Sequence, residues 1–133
     1  MVRERIASAL PSSGDLGLDQ RLARAIDLYR SPDLTERTDA LEKLWDGWAE
    51  LKTLRGPLPK GIERLIAEVA HDARYADELG SDAQALNKIG NDFHIRHFEK
   101  GKIPIQDSEQ VDYFFGRLFN LIWLFLRSMS SVT

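Results

Sequence analysis

The chain has 133 residues, a length that suits one domain with a single buried core, and it carries no cysteine, so disulfides and thiolate metal sites are excluded. Its 21 acidic residues outnumber its 18 basic ones, and the net charge of -3 argues against a surface that grips nucleic acid broadly, while a small local basic site is still allowed. The mixed charges of Met1-Val2-Arg3-Glu4-Arg5-Ile6 do not form the apolar run of a secretory signal, so a cytoplasmic setting is the expectation.

Val2, Ile6 and Leu10 recur every four residues before Pro11-Ser12-Ser13-Gly14 breaks the pattern. Residues 1–14 therefore read as an N-terminal arm of a single domain spanning residues 1–133. Leu18, Leu22, Ile26 and Tyr29 then mark one face of a helix that Ser31-Pro32 ends. A second helix opens at Asp33 or Thr35 and runs toward Arg55, with Leu41, Leu44, Trp45, Trp48 and Leu51 on one stripe. Two tryptophans at helical spacing are expected in the core. Gly56-Pro57-Leu58-Pro59-Lys60-Gly61 is a rigid loop, because its prolines lack N–H donors and restrict their neighbours.

Ile62, Leu65, Ile66, Val69, Ala73 and Ala76 predict a third amphipathic helix closed near Gly80, with Ser81 or Asp82 capping the next. That next helix carries Ala83, Leu86, Ile89 and Phe93 and is expected to run through His97, before Gly101 and Pro104 stop it. Asp107-Ser108-Glu109-Gln110 has the form of a capping box and launches the last helix. Val111, Phe114, Phe115, Leu118, Phe119, Ile122 and Leu126 keep its helical period, while Leu121, Trp123, Leu124 and Phe125 make its second half apolar on every side. Such a helix must be covered all round, by the bundle or by a second subunit, and a homodimer is expected. Asp112, Arg117 and Asn120 interrupt the apolar run, so it is not expected to span a membrane. No two-residue alternation or hairpin turn is present, and the class is all-α, a compact bundle of five to six helices.

The one chemically dense stretch is His94-Ile95-Arg96-His97, with Asn91 before it and Lys100 and Lys102 after it, in a chain of three histidines. On a continuous helix, His97 shares an arc with Leu86, Ile89, Gly90 and Phe93, and Arg96 pairs with Asp92 one turn back. A satisfied histidine at the packing face is the plain reading. The alternative is a phosphate-handling site, in which imidazoles move protons near neutral pH and cations stabilise charge on phosphoryl oxygens. His94 and His97 at i,i+3 with His71 do not recruit the carboxylate or thiolate that ordered metal sites use, so no metal is expected. Phosphate-cradling glycine loops and a serine nucleophile elbow are absent, and no cofactor is expected.

The stretch Leu86-Asn87-Lys88-Ile89-Gly90-Asn91-Asp92-Phe93-His94-Ile95-Arg96-His97-Phe98, followed by a loop and Val111-Asp112-Tyr113-Phe114-Phe115-Gly116-Arg117-Leu118, resembles the C-terminal half of HEPN-type helical domains. It is especially similar to those of prokaryotic abortive-infection and other defence proteins, and the rest of the chain agrees only in being helical. The resemblance implies a small dimerising bundle whose active members are metal-independent ribonucleases marked by an Arg and, up to two helical turns later, a His. Two turns place both side chains on one face, about 10 Å apart along the axis. By this resemblance a ribose 2′-hydroxyl attacks the neighbouring phosphodiester, leaving a cyclic phosphate and a free 5′-hydroxyl. His97 and its copy in the partner subunit would handle protons, Arg96 would stabilise the transition state, and Asn91 would orient His97 or the phosphate. His94, Lys88, Lys100 and Lys102 would contact RNA. The dimer would form through the last helix and the cluster helix, and a fused or cognate partner domain is implied.

Where the pattern expects Arg two turns before His97, this chain has Gly90. Either Arg96 supplies the charge from beside His97, or Lys88 and His94 form a shifted pair. The competing expectation is a helical module that has lost catalysis and dimerises or senses a ligand or nucleic acid. Gly90, the acidic net charge and the apolar last helix favour it.

Overall fold

A computed structural model of the chain describes residues 10–93, 95 and 101–130. These form five helices, α1 (Leu16–Tyr29), α2 (Leu34–Leu51), α3 (Lys60–Val69), α4 (Ala73–Asp92) and α5 (Ser108–Ser130), with no strand among the described residues. The all-α bundle expected from the periodicities is the fold. Most of residues 1–14, the expected arm, lies outside the described residues, although Leu10 packs against the core.

α1 and α2 make an antiparallel hairpin. Each begins on an aspartate that satisfies an orphan backbone donor: Asp15 accepts from the Leu18 N–H at 3.0 Å and Asp33 from the Thr35 N–H at 3.0 Å. Leu18 and Leu22 of α1 are buried against α2, where the helices approach closely at Gly47. A Cβ at position 47 would stand 2.6 Å from Leu22 Cδ2, so a side chain there would push the pair apart. Trp45 and Trp48 are buried, as their spacing predicts.

The break between the third and fourth helices falls at Ala70-His71-Asp72, not at Gly80. Asp72 is extended and its carboxylate accepts from the Tyr75 N–H at 2.8 Å, which starts α4 there. Ala73 and Ala76, grouped by periodicity with Ile62 to Val69, belong to the next helix. Gly80 lies inside α4, neither Ser81 nor Asp82 starting a new helix, and its open side meets only Ile66 Cδ1, at 4.0 Å.

α5 starts as the capping residues predict. The Gln110 N–H donates to Asp107 Oδ1 at 2.9 Å, and Gln110 Oε1 accepts from the Gln106 N–H at 2.7 Å. The helix lies at the centre of the bundle. Val111, Phe115, Leu118, Phe119, Ile122, Phe125 and Leu126 are buried, with Phe115 against Tyr29 of α1, Phe125 against Trp48 of α2, and Ser128 near the Glu68 carbonyl of α3. Most of its apolar surface is thus covered within one chain, while Trp123 and Leu124 are half-buried. No helix among the described residues is long and apolar enough to cross a membrane.

Candidate functional site

The helix that carries the sequence cluster ends at Asp92. Phe93 is extended (φ -99°, ψ 157°) and its N–H closes the helix on the Ile89 carbonyl at 3.1 Å. Two contacts hold the chain in this exit: the Ile103 N–H donates to the Asp92 carbonyl at 2.9 Å, and the Phe93 ring meets Phe114 edge-on, centroids 4.9 Å apart. The expectation of a helix continuing through His97 is therefore corrected, and with it the wheel position that aligned His97 with Leu86, Ile89, Gly90 and Phe93. His94, Arg96, His97 and Lys100 lie outside the described residues. Of the remaining candidates, Lys88 and Asn91 are exposed on α4 and Lys102 is half-buried in the following loop.

Gly90 has a structural reason to be glycine. It is buried, and a Cβ built on it would stand 2.5 Å from Trp45 Cδ1 and 2.6 Å from Trp45 Nε1. The indole is fixed there because its Nε1–H donates to the Leu86 carbonyl at 3.0 Å, one turn earlier on α4. Position 90 therefore faces the contact between α2 and α4, and a side chain there would collide with the tryptophan ring.

Beside this contact lies a groove of about 200 Å³, lined by Trp45, Trp48, Lys52, Asn87, Gly90 and Asn91. Its centre is Asn87, whose Oδ1 accepts from the Trp48 Nε1–H at 2.9 Å and from Lys52 Nζ at 2.8 Å. Two donors on one oxygen settle which way the amide faces: the oxygen lies toward α2, and the Nδ2–H groups point away from both donors. The Lys52 ammonium also sits 5.4 Å from the centroid of the Trp48 ring, within cation–π range. No carboxylate is among the described residues that line this groove. Lys52 and Asn87 also form a wall of an adjoining cleft of about 320 Å³ between α3 and α4, which has Leu58, Ile62 and Ile66 on its apolar side and Glu63 and Gln84 at its edge.

Of the candidate catalytic and RNA-binding residues that are described, Asn91 alone lines this groove, together with Gly90 and the two tryptophans expected in the core. Lys52 and Asn87 were not legible as site residues, because they are far apart in sequence and each falls on an ordinary amphipathic helix. His71 is exposed at the junction of α3 and α4 beside Asp72 and Asp77, and no group of three histidine or carboxylate side chains among the described residues is placed to hold a metal.

A second polar cluster is a fastening. The Tyr29 hydroxyl donates to Asp112 Oδ1 at 2.7 Å, Arg37 pairs with the same oxygen and donates to the Tyr29 carbonyl at 2.8 Å, and the guanidinium lies 4.6 Å from the Tyr29 ring centroid. Burial pushes the Tyr29 hydroxyl above its ordinary pKa, and the hydrogen bond and charge of Asp112 push the same way against the opposing effect of Arg37. The cluster ties the end of α1 and the start of α2 to the start of α5.

An all-helical domain with a donor-lined groove at one end of α4 is thus what fold and site define. No family model, curated protein or solved structure matches the chain.

Proposed function

We propose that this chain is a catalytically degenerate HEPN-like helical module, acting in the cytoplasm as a homodimer that binds a ligand or nucleic acid in a defence or toxin system. The observation that carries the loss of catalysis is the contact of Gly90 with Trp45. In the ribonuclease pattern an arginine stands up to two turns before the histidine, and here the position seven residues before His97 is occupied by the packing of α2 on α4. An arginine at 90 would have to displace an indole that is itself buried and hydrogen-bonded. What stands nearby instead is a set of binding groups, Lys52, Asn87 and Asn91, at the same end of α4. Support for the dimer comes from α5, where Leu124 is half-buried and Tyr113 is 62% exposed.

The competing reading is the metal-independent ribonuclease, with His97 moving protons, Arg96 supplying the charge, and His94, Lys88, Lys100 and Lys102 holding RNA. Incubating purified wild type and His97→Ala with structured RNA in excess chelator separates the two. Our reading expects intact RNA from both proteins, or equal trace cutting by a contaminant. Cleavage by the wild type that disappears in His97→Ala would overturn it. The dimer is checked separately by mass in solution at micromolar concentration, where a strict monomer would remove that part of the reading.

A further inference from the structure

The apolar period of α3 does not stop where the helix stops. Ile62, Ile66, Val69, Ala73, Ala76 and Gly80 follow one another at alternating steps of four and three residues, the spacing of a single helix that packs on another along its length. The run passes without a gap over Ala70-His71-Asp72, where the chain leaves the helix and turns back. Nothing in those three residues forbids a helix. None is proline or glycine, and the turn is made by ordinary extended backbone at Ala70 (φ -103°, ψ 120°) and Asp72 (φ -122°, ψ 153°). What holds the break is the Asp72 carboxylate, which accepts from the Tyr75 N–H at 2.8 Å. The elbow is also poorly filled: a crevice of about 440 Å³ lies open there between Ile66, Ala67 and Ala70 on one side and Ala73 and Ala76 on the other. The first buried residue of α4 is Leu79, more than a turn in.

We propose that Ala70-His71-Asp72 is a hinge at which the chain exchanges α4 and α5 with a second copy of itself. With the hinge straightened, residues 60–92 form one helix of about 50 Å, and α4 and α5 of each copy take their places on α1, α2 and α3 of the other. The core contacts re-form across the pair, because each joins a residue before the hinge to one after it: Trp45 with the Leu86 carbonyl, Phe125 on Trp48, Phe115 on Tyr29. Phe93 on Phe114 and Arg117 with Asp82 lie wholly after it and travel with the exchanged part. Where the two long helices cross they run antiparallel about His71. Ile62 then stands opposite Gly80 of the second copy, Ile66 opposite Ala76 and Val69 opposite Ala73, a bulky residue against a small one at each step. The exchange thus gives up one cap per chain and gains a continuous helix and a filled contact at the elbow.

The test is the mass of the full chain in solution and the lifetime of its dimer, by size-exclusion chromatography with light scattering after incubation at high concentration, for wild type, Asp72→Ala and Ala73→Pro. Asp72→Ala removes the cap from both copies and leaves a good helix former in the straightened junction, so it should raise the association constant by roughly tenfold or more. Ala73→Pro acts the other way. Position 73 is the first of α4, where the missing N–H of proline costs little, and Asp72 before it already has the extended backbone that a following proline requires. In a straightened helix the same ring collides with the Val69 carbonyl. Ala73→Pro should therefore leave the urea midpoint of the monomer unchanged and lower the association constant by roughly tenfold or more. The exchanged dimer should persist for hours after dilution, because separation requires the core to open. A chain that stays monomeric as wild type and as Asp72→Ala, a long-lived dimer that Ala73→Pro leaves intact, or dimers that all fall apart at once on dilution would each overturn the exchange. If Ala73→Pro does not fold, the Asp72→Ala comparison decides alone. A dimer through the exposed face of α5 dissociates fast and is indifferent to residues 72 and 73, so the two associations fail separately, and the RNA-cleavage result bears on neither.

Discussion

Two glycines of α4 show how little residue type says without its neighbours. Gly90 is pressed against Trp45, whose nearest atoms would lie 2.5 and 2.6 Å from a new Cβ, both belonging to a buried ring held by its hydrogen bond to the Leu86 carbonyl. Gly90→Ala should therefore destabilise the fold by about 1–3 kcal/mol through overpacking, read as a lower denaturation midpoint in urea. An unchanged midpoint would mean that Trp45 is not fixed where it is seen. Gly80 has space, with only Ile66 Cδ1 at 4.0 Å. Gly80→Ala removes backbone freedom from the unfolded chain inside a helix and should stabilise by up to about 1 kcal/mol. In the sequence Gly80 reads as the end of a helix and Gly90 as a gap in an apolar arc. The sign of each substitution is set by what lies on the facing helix.

At the scale of helices, boundaries are decided by small polar groups more than by apolar period. Ile62 to Ala76 fits one continuous stripe, yet the chain breaks at Ala70 and restarts at Asp72, where a carboxylate bonded to the Tyr75 N–H replaces a missing helical partner. Asp72→Ala should cost about 1 kcal/mol, and hydrogen exchange should show the first turn of α4 opening sooner. The aspartate beyond Gly80, Asp82, is exposed within the helix and pairs at 3.8 Å with Arg117. Its replacement by Ala should have a smaller effect, as exposed ion pairs contribute little. Equal losses at 72 and 82 would show that the cap does not set the boundary. The other end of α4 is decided by Phe93, whose ring is drawn onto Phe114 and whose backbone neighbour Asp92 takes the Ile103 hydrogen bond.

For the molecule as a whole, the Tyr29–Arg37–Asp112 cluster joins three helices and gives a defined pH response. The folded pKa of Tyr29 is raised above 10.0, so in the folded state the proton is held more tightly than in the unfolded chain. Its contribution to stability is then complete below the unfolded value and is lost as pH rises from there through the folded pKa, because the unfolded chain ionises first. The stability difference between wild type and Tyr29→Phe should be constant at neutral pH and shrink on the alkaline side of pH 10.0. A difference that stays flat there would remove the cluster as the source. Asp19 works in the opposite direction. Its carboxyl is partly desolvated, which raises its pKa, but the hydroxyl and N–H of Ser13 and the hydroxyl of Ser12 outweigh this and hold it below 3.8, so its contribution is lost only as pH falls further.

The all-helical class, the burial of Trp45 and Trp48 and the cap of α5 were legible in the chain, because helical period and capping chemistry are local and each residue carries its part of the signal, whereas the covering of α5 by its own bundle was left open against a second subunit. The groove was not legible. Its members Lys52 and Asn87 come from helices whose register against one another is set by Gly90 and Trp45, and no single segment encodes that contact. For the same reason the missing arginine was visible in the sequence as a substitution, while only the packing of α2 on α4 supplied its cause: the position points into a helix contact where a side chain has no volume to occupy.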